Sequence, residues 1–305
     1  MTYHTPVLLN ESVDGLAVNP EGIYVDATFG GGGHSREIIQ RLKTGRLIAF
    51  DQDEDAERNV IKDERFLFIN QNFRYLRNNL RYHGIQSIDG LLADLGVSSH
   101  HLDVPERGFS FSHRGELDMR MNRRASLTAG KVLNSYSEEE LQGIFSSYGE
   151  IRNSKKLAHR IIQVRGEGTI EGVQQFIEHI GHCIPVKHES KYLAKLFQAL
   201  RIEVNRELEC LNELLMQCVN LIKKDGRLVM ITYHSLEDRM VKNFIKSGNV
   251  DGLLDKDFYG NIEVPFAPVN KKVIVPGAAE IRRNSRARSA KLRIARRVKW
   301  DKEGT

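Results

Sequence analysis

Three aspartates and a run of glycines mark where this sequence could do chemistry. Residues 22–34 read Gly-Ile-Tyr-Val-Asp-Ala-Thr-Phe-Gly-Gly-Gly-Gly-His. A short β-branched and aromatic run ends in Asp26; Gly30 to Gly33 follow, and an amphipathic stretch runs from His34 to Leu42. Glycine loses more backbone freedom on ordering than any other residue, so four in succession are costly. What offsets that cost is a loop whose backbone meets a ligand with no side chain between. A flexible surface turn would need neither the strand before it nor the helix after it. Asp51 stands 18 residues beyond Gly33, and Asp94 opens the sequence Asp-Leu-Gly-Val-Ser-Ser.

Two kinds of ligand suit a strand, a glycine loop and a helix in that order. The dinucleotide fingerprint G-x-G-x-x-G is incomplete, because Gly31 and Gly33 lead to Arg36, and Gly30 and Gly32 to Ser35. The phosphate-binding G-x-x-x-x-G-K-[ST] pattern also lacks its lysine. S-Adenosylmethionine has no pyrophosphate and carries a sulfonium and an ammonium, so acids beside the loop favour it, and Asp26 supplies one. Asp51, at the tip of a second strand, is placed to accept the ribose hydroxyls of an adenosine; capping a helix is its plainer alternative. Phe73 either stacks beside the adenine or belongs to the core. Asp94 leaves a fourth strand where cofactor and acceptor would meet. For a nucleobase amino group, whose lone pair is delocalised into the ring, aligned acceptors such as Asp94 would pull the nitrogen toward tetrahedral geometry as it attacks a methyl group. Arg107-Gly-Phe-Ser-Phe111 offers two aromatics for stacking an unpaired base. Tyr233 and His234 stand at the mouth of the sheet, His234 as a donor to the base or a proton acceptor, though a lone histidine is more often structural.

The elements that must position these residues follow an α/β rhythm. Strands are predicted at Ile23–Ala27, Arg46–Asp51, Phe66–Asn70 and Asp89–Leu95, with helices at His34–Leu42, Glu54–Ile61 and Phe73–Tyr82 between them. This implies a doubly wound parallel sheet that binds ligands at the carboxyl ends of its strands. The rhythm stops at about Leu117. Short helices are predicted at Ala129–Asn134, Ser137–Phe145, Lys155–Arg165 and Gly172–Cys183, with Ser137 and Glu140 as a capping box. A long helix from Tyr192 to Lys223 and a strand Arg227–Tyr233 then resume the sheet. We therefore expect a discontinuous Rossmann-like domain, residues 1–112 and 195–305, interrupted by a helical substrate-recognition domain at 113–194, with Arg152, Lys155, Lys156 and Arg160 as its basic face.

Composition narrows the class. The chain has 305 residues, 40% hydrophobic and 28% charged, ordinary for a soluble globular protein. No apolar run reaches the roughly 20 residues of a membrane span, and the opening Met-Thr-Tyr-His-Thr-Pro lacks a signal-peptide pattern. Cys183, Cys210 and Cys218 are widely spaced and odd in number, so neither a disulfide framework nor a metal site is expected; Cys210 and Cys218 read as core residues of a cytosolic protein. Net charge is +5, yet residues 282–299 hold nine basic side chains and no acid: Arg282, Arg283, Arg286, Arg288, Lys291, Arg293, Arg296, Arg297 and Lys299. Without them, 36 basic residues face 40 acidic ones, a balance of −4. A basic block on a mildly acidic body points to a polyanion such as RNA. Leu292 and Ile294 alternate with the charges, so an ordered, RNA-facing edge strand is expected.

The motifs Thr5-Pro-Val-Leu-Leu, Asp26-Ala-Thr-Phe-Gly-Gly-Gly-Gly-His-Ser, Asp94-Leu-Gly-Val-Ser-Ser, Arg107-Gly-Phe-Ser-Phe, Leu117-Asp-Met-Arg-Met, Phe197-Gln-Ala-Leu-Arg-Ile-Glu-Val-Asn, His234-Ser-Leu-Glu-Asp-Arg and Arg286-Ala-Arg-Ser-Ala-Lys-Leu-Arg together resemble the RsmH family, also called MraW. Those are bacterial 16S rRNA cytosine-N4 methyltransferases, and the resemblance spans nearly the whole chain. It implies a Rossmann-like S-adenosylmethionine-dependent fold with a helical insertion. The implied reaction is methylation of one cytidine amino group in the decoding centre of 16S rRNA. Cofactor positions carry over to Gly32, Gly33, His34, Asp51, Phe73 and Asp94, and to His101, where the family tends to place glutamine. The small ribosomal subunit is the implied partner, and a homodimer is implied by the dimers seen in the family. Two other readings compete: a nucleotide-dependent oxidoreductase on the same sheet, and a non-catalytic RNA-binding protein.

Overall fold

The computed structural model of the chain describes residues 6–256, 260 and 262–298. Its sheet has seven strands: β1 Ile23–Asp26, β2 Arg46–Phe50, β3 Phe66–Ile69, β4 Ile88–Asp94, β5 Ile222–Thr232, β6 Phe266–Pro268 and β7 Lys291–Arg297, in the order β3-β2-β1-β4-β5-β7-β6. β1 to β5 pair in parallel, while β7 runs antiparallel between β5 and β6. Successive side chains of a strand point to opposite faces, and here both faces are covered. Val25, Ile48, Leu91 and Leu228 enter one apolar layer with Leu211, Leu214, Cys218 and Phe244. Tyr24, Leu47, Leu92 and Val229 enter the other with Val13, Leu16 and Ile38. Burial on both sides is why these strands read as nearly continuous apolar runs.

The order reverses between β1 and β4. Helical connections leave to opposite sides there, so the carboxyl ends of these two strands border a crevice. Asp26 and Asp94 are the last residues of β1 and β4. The helix Gly33–Arg41 begins within the glycine run. An opening helix, Leu9–Leu16, which the periodicity did not predict, precedes β1.

Several expectations need correction. Residues Glu54–Asn59 form a 3-10 turn in place of an α-helix, and Phe73–Tyr75 form another ahead of the helix Leu76–Tyr82. The expected helix 192–223 is two helices, Glu189–Asn205 and Glu207–Leu221, divided at Arg206, whose φ is 50°. The basic strand β7 is an inner strand, because the short β6 covers it.

Two compact units divide the chain, Met1–Gly96 with Leu208–Thr305, and Val97–Glu207. The helical unit is thus wider than the expected 113–194. Phe109, Leu117, Met119, Leu196 and Leu200 bury into its own core with Val132, Leu141, Phe145, Leu157, Ile161 and Phe176, so the flanking segments fold with it. Its helix Glu138–Ser147 starts with the expected capping box, in which Glu140 N–H donates to Ser137 Oγ and Ser137 N–H to Glu140 Oε2. Among the described residues no helix is long and apolar enough to cross a membrane.

Candidate active site

At the end of β1 the Asp26 carboxylate is 1% exposed. It accepts Ser35 Oγ–H at 2.6 Å and Thr28 N–H at 3.1 Å. Burial pushes its pKa up to about 6 against these two hydrogen bonds. Asp26 is therefore built into the loop as the anchor that ties β1 to the following helix.

The loop is held from the neighbouring strand as well. Asp51, just beyond β2, accepts Gly30 N–H at 2.7 Å and Asp53 N–H at 2.9 Å, one on each carboxylate oxygen. Burial, partly offset by those two N–H donors, raises Asp51 to about 6. The glycines divide the work. Gly30 (φ +49°) has open space where a Cβ would stand, its nearest neighbour being 4.0 Å away. A Cβ on Gly32 (φ +74°) would meet the Phe29 ring at 2.9 Å, and one on Gly33 would meet Pro6 Cγ at 2.6 Å. Gly30 leaves a cradle open, while Gly32 and Gly33 allow close packing behind it.

His34 is buried, and burial lowers its pKa to about 4 despite the hydrogen bond to Val7. Its Nε2 lies 3.1 Å from the Val7 carbonyl, which only accepts, so Nε2 carries the proton. The neutral ring thus makes no ion pair with Asp94, whose Oδ2 is 3.9 Å from Nδ1. Asp94 Oδ1 accepts the Tyr233 hydroxyl at 2.8 Å, and Asp94 N–H donates to Thr28 Oγ1 at 2.6 Å. Burial raises Asp94 to about 7, opposed by the Tyr233 hydrogen bond and reinforced by the charges of Asp26 and Glu237. Phe73 opens the 3-10 turn after β3, half-buried and packed on the sheet core.

The donor set fits S-adenosylmethionine. Three acids lie at adjacent strand ends beside an open glycine backbone, suited to a cation that also carries a ribose diol. The charge of Asp26 adds to the burial that raises Asp51 and Asp94, as like charges of one crevice do.

Other expected residues are used differently. His101 is buried in the helical unit, stacked on Phe109 with centroids 4.7 Å apart. Its Nδ1 accepts Ser98 N–H, closing a capping box on the helix Ser99–Asp103. A glutamine at this third position would make the same reach-back. Phe109 is a core residue, while Phe111 is half-buried and packs edge-on against Phe197. Arg107 is 1% exposed and donates to the carbonyls of Arg120 and Met121. His234 caps the helix Ser235–Ser247: its Nδ1 accepts Glu237 N–H at 3.4 Å, and its Nε2 lies 3.1 Å from Glu237 Oε1 without hydrogen-bond alignment. The capping role is the one the geometry gives it. In the helical unit Arg152, Lys155 and Lys156 are exposed, while Arg160 is half-buried and donates to the carbonyl of His179.

The basic block also divides. Arg293 donates to both oxygens of the buried Asp238, at 2.7 and 3.2 Å, and Lys291 reaches the same carboxylate at 3.1 Å. Arg297 is buried against the carbonyls of Val219, Pro265 and Val298. Arg296 pairs with Asp225. Arg282 and Arg283, on the helix Ala278–Arg283, and Arg286 and Arg288, on the turn Ser285–Ser289, are exposed. Lys299 lies outside the described residues. Tyr233, which the sequence already placed at the mouth of the sheet, has a partner the sequence could not give: its hydroxyl donates to Asp94.

Comparison with known proteins agrees with this geometry. The chain is 60% identical over 296 residues to ribosomal RNA small subunit methyltransferase H of Bacteroides thetaiotaomicron, covering 97% of each. It is 59% identical to the protein of that name from Phocaeicola vulgatus, over 96% of this chain and 97% of the other. The Flavobacterium johnsoniae counterpart is 52% identical over 98% of this chain and 99% of its own. The model of the MraW methylase family matches residues 1–298. With β1, β2 and β4 ending in a crevice of acids and bare backbone, and its sequence matched over residues 1–298, this chain belongs to the MraW methylase family of S-adenosylmethionine-dependent methyltransferases.

Proposed function

We propose that the protein methylates the exocyclic N4 amino group of one cytidine in the decoding centre of 16S rRNA, as a cytoplasmic enzyme acting on the small ribosomal subunit. The observation that carries this reading is an acid-lined glycine crevice in a chain 60% identical to a ribosomal RNA small subunit methyltransferase. S-Adenosylmethionine supplies an electrophilic methyl group on a sulfonium when bound. Gly32, Gly33 and His34 form the loop beside it, Asp51 takes the ribose hydroxyls, Phe73 borders the adenine, and Asp94 stands between cofactor and acceptor. Among the described residues Asp94 Oδ2 accepts no hydrogen bond, which leaves it available to an amino group or a cation. An acceptor there orients the nitrogen lone pair, so alignment and preorganised charge supply most of the acceleration. The target base must be unstacked to be reached. Exposed Arg282, Arg283, Arg286 and Arg288 give the rRNA backbone a cationic surface. A homodimer belongs to the same proposal. Mass-spectrometric mapping of methylated cytidines in rRNA from a deletion strain tests the reading. Complementation by the wild-type gene should restore one N4-methylated cytidine and Asp94→Ala should not; an unchanged modification map in the deletion strain would refute it.

A further inference from the structure

We propose that Tyr233 is a positioning residue of the methyl-transfer site, holding Asp94 Oδ1 so that the carboxylate is biased toward its charged form and offers Oδ2 to the ligand. This rests on the reading of Asp94 as a site residue. The Tyr233 hydroxyl lies 2.8 Å from Oδ1 and has that carboxylate as its acceptor. Glycine at position 96 leaves room for its ring: there φ is +102°, and a Cβ would stand 3.3 Å from Tyr233 Cδ2. The Asp94 backbone is fixed independently by its N–H on Thr28 Oγ1. A carboxylate tied at its backbone and at one oxygen has a single orientation left for the other.

The surroundings make that hydrogen bond matter. Around Asp94 stand Asp26 from β1, Glu237 from the helix after β5, and neutral His34 from the glycine-loop helix; Glu280 faces Tyr233 itself. Both acids near Asp94 disfavour its charge, and the Tyr233 hydroxyl is what opposes them and the burial. Burial, with the charge of Asp94 next, pushes the Tyr233 phenol upward, so it remains a donor throughout the working pH range. Removing the hydroxyl while keeping the ring therefore leaves the packing and takes away the hydrogen bond that, among the described residues, favours the charged form.

Tyr233→Phe tests this with two readouts, neither of them turnover. In the ligand-free protein, 13C-carboxyl NMR of labelled aspartate, assigned with Asp94→Asn, should show the Asp94 midpoint rising by about one pH unit, the scale of a hydrogen bond to a charged group. Calorimetric titration with S-adenosylmethionine should show affinity about fivefold weaker than wild type near pH 7 and converging with it near pH 9, where both carboxyls are ionised. An unmoved midpoint, or an equal loss of affinity at every pH, would mean that Tyr233 only packs and would overturn the proposal. Asp94→Asn separates the two claims: if it binds S-adenosylmethionine and methylates rRNA like the wild type, the reading of Asp94 fails, whatever Tyr233→Phe does.

Discussion

Ser35 Oγ donates to Asp26 Oδ2 at 2.6 Å, both residues fully withdrawn from solvent. This bond joins the end of β1 to the helix Gly33–Arg41, across the whole glycine run. Replacing Ser35 with Ala should leave a buried carboxylate with only the Thr28 N–H. A hydrogen bond to a charged group contributes about 1.5–3 kcal/mol, and the loss should appear in chemical denaturation as a stability decrease of that order. Cofactor affinity should fall with it, since the loop then lacks its anchor. Stability within about 0.5 kcal/mol of wild type would show that the Asp26–Ser35 bond is dispensable.

The three crevice acids give the ligand-free protein a defined pH response. Asp26 and Asp51 are raised to about 6 and Asp94 to about 7, from a usual 3.8. A carboxyl that holds its proton more tightly in the folded state favours folding below its unfolded value and loses that contribution as pH rises through the folded one. These groups therefore withdraw stability between about pH 4 and about pH 7. A bound cation draws the same acids to their charged forms and offsets the loss. The thermal shift produced by S-adenosylmethionine should thus grow from about pH 5.5 to about pH 8, and that of S-adenosylhomocysteine, which lacks the sulfonium charge, should grow less. Scanning fluorimetry with both ligands measures it; identical, pH-independent shifts would contradict the assignment.

Gly30 and Gly33 should fail in different ways when given a methyl group. At Gly33 the new Cβ collides with Pro6 at 2.6 Å, so Gly33→Ala should lower stability by about 1–3 kcal/mol, as overpacking does. At Gly30 nothing lies closer than 4.0 Å, and the cost is a left-handed backbone, about 1–2 kcal/mol for a residue with a Cβ. That methyl projects into the cradle. Gly30→Ala should therefore retain the fold yet lose most of its affinity for S-adenosylmethionine, by calorimetry, and retained affinity would place the ligand elsewhere.

Much of this was legible because β-branched runs, glycines and strand-end acids announce themselves by type. β1 to β4 and the crevice follow from such local signals. What local signals cannot give is the choice of partner. Arg293 and Arg286 are the same residue in one basic block, but Asp238, 55 positions before Arg293 in sequence, claims only the first. The break at Arg206 has no glycine or proline to mark it. It is fixed by Arg201 forking onto Glu207 at 2.7 and 2.9 Å, and by Asn205 bonding the backbone of Met119 and Met121. Tyr233 carried a hydroxyl whose acceptor lay 139 residues away.

That division of the basic block yields a sharp contrast. Arg286 and Arg288 are exposed on the turn Ser285–Ser289, so replacing both with Ala should weaken RNA binding. For every phosphate that no longer meets an arginine, the dependence of log K on log salt should flatten by about 0.7–0.9. Cofactor affinity should stay near wild type. Arg293→Ala should do the reverse. It leaves the buried Asp238 with Lys291 alone, which should cost about 1–3 kcal/mol of stability, discounted because the Arg293 side chain is 22% exposed. Its salt slope for RNA should match the wild type. Filter binding of a small-subunit rRNA fragment across a salt series, with denaturation of each variant alongside, measures both quantities. An Arg293→Ala protein of normal stability and reduced salt slope would return that arginine to the RNA-binding surface and take Asp238 out of its role as partner.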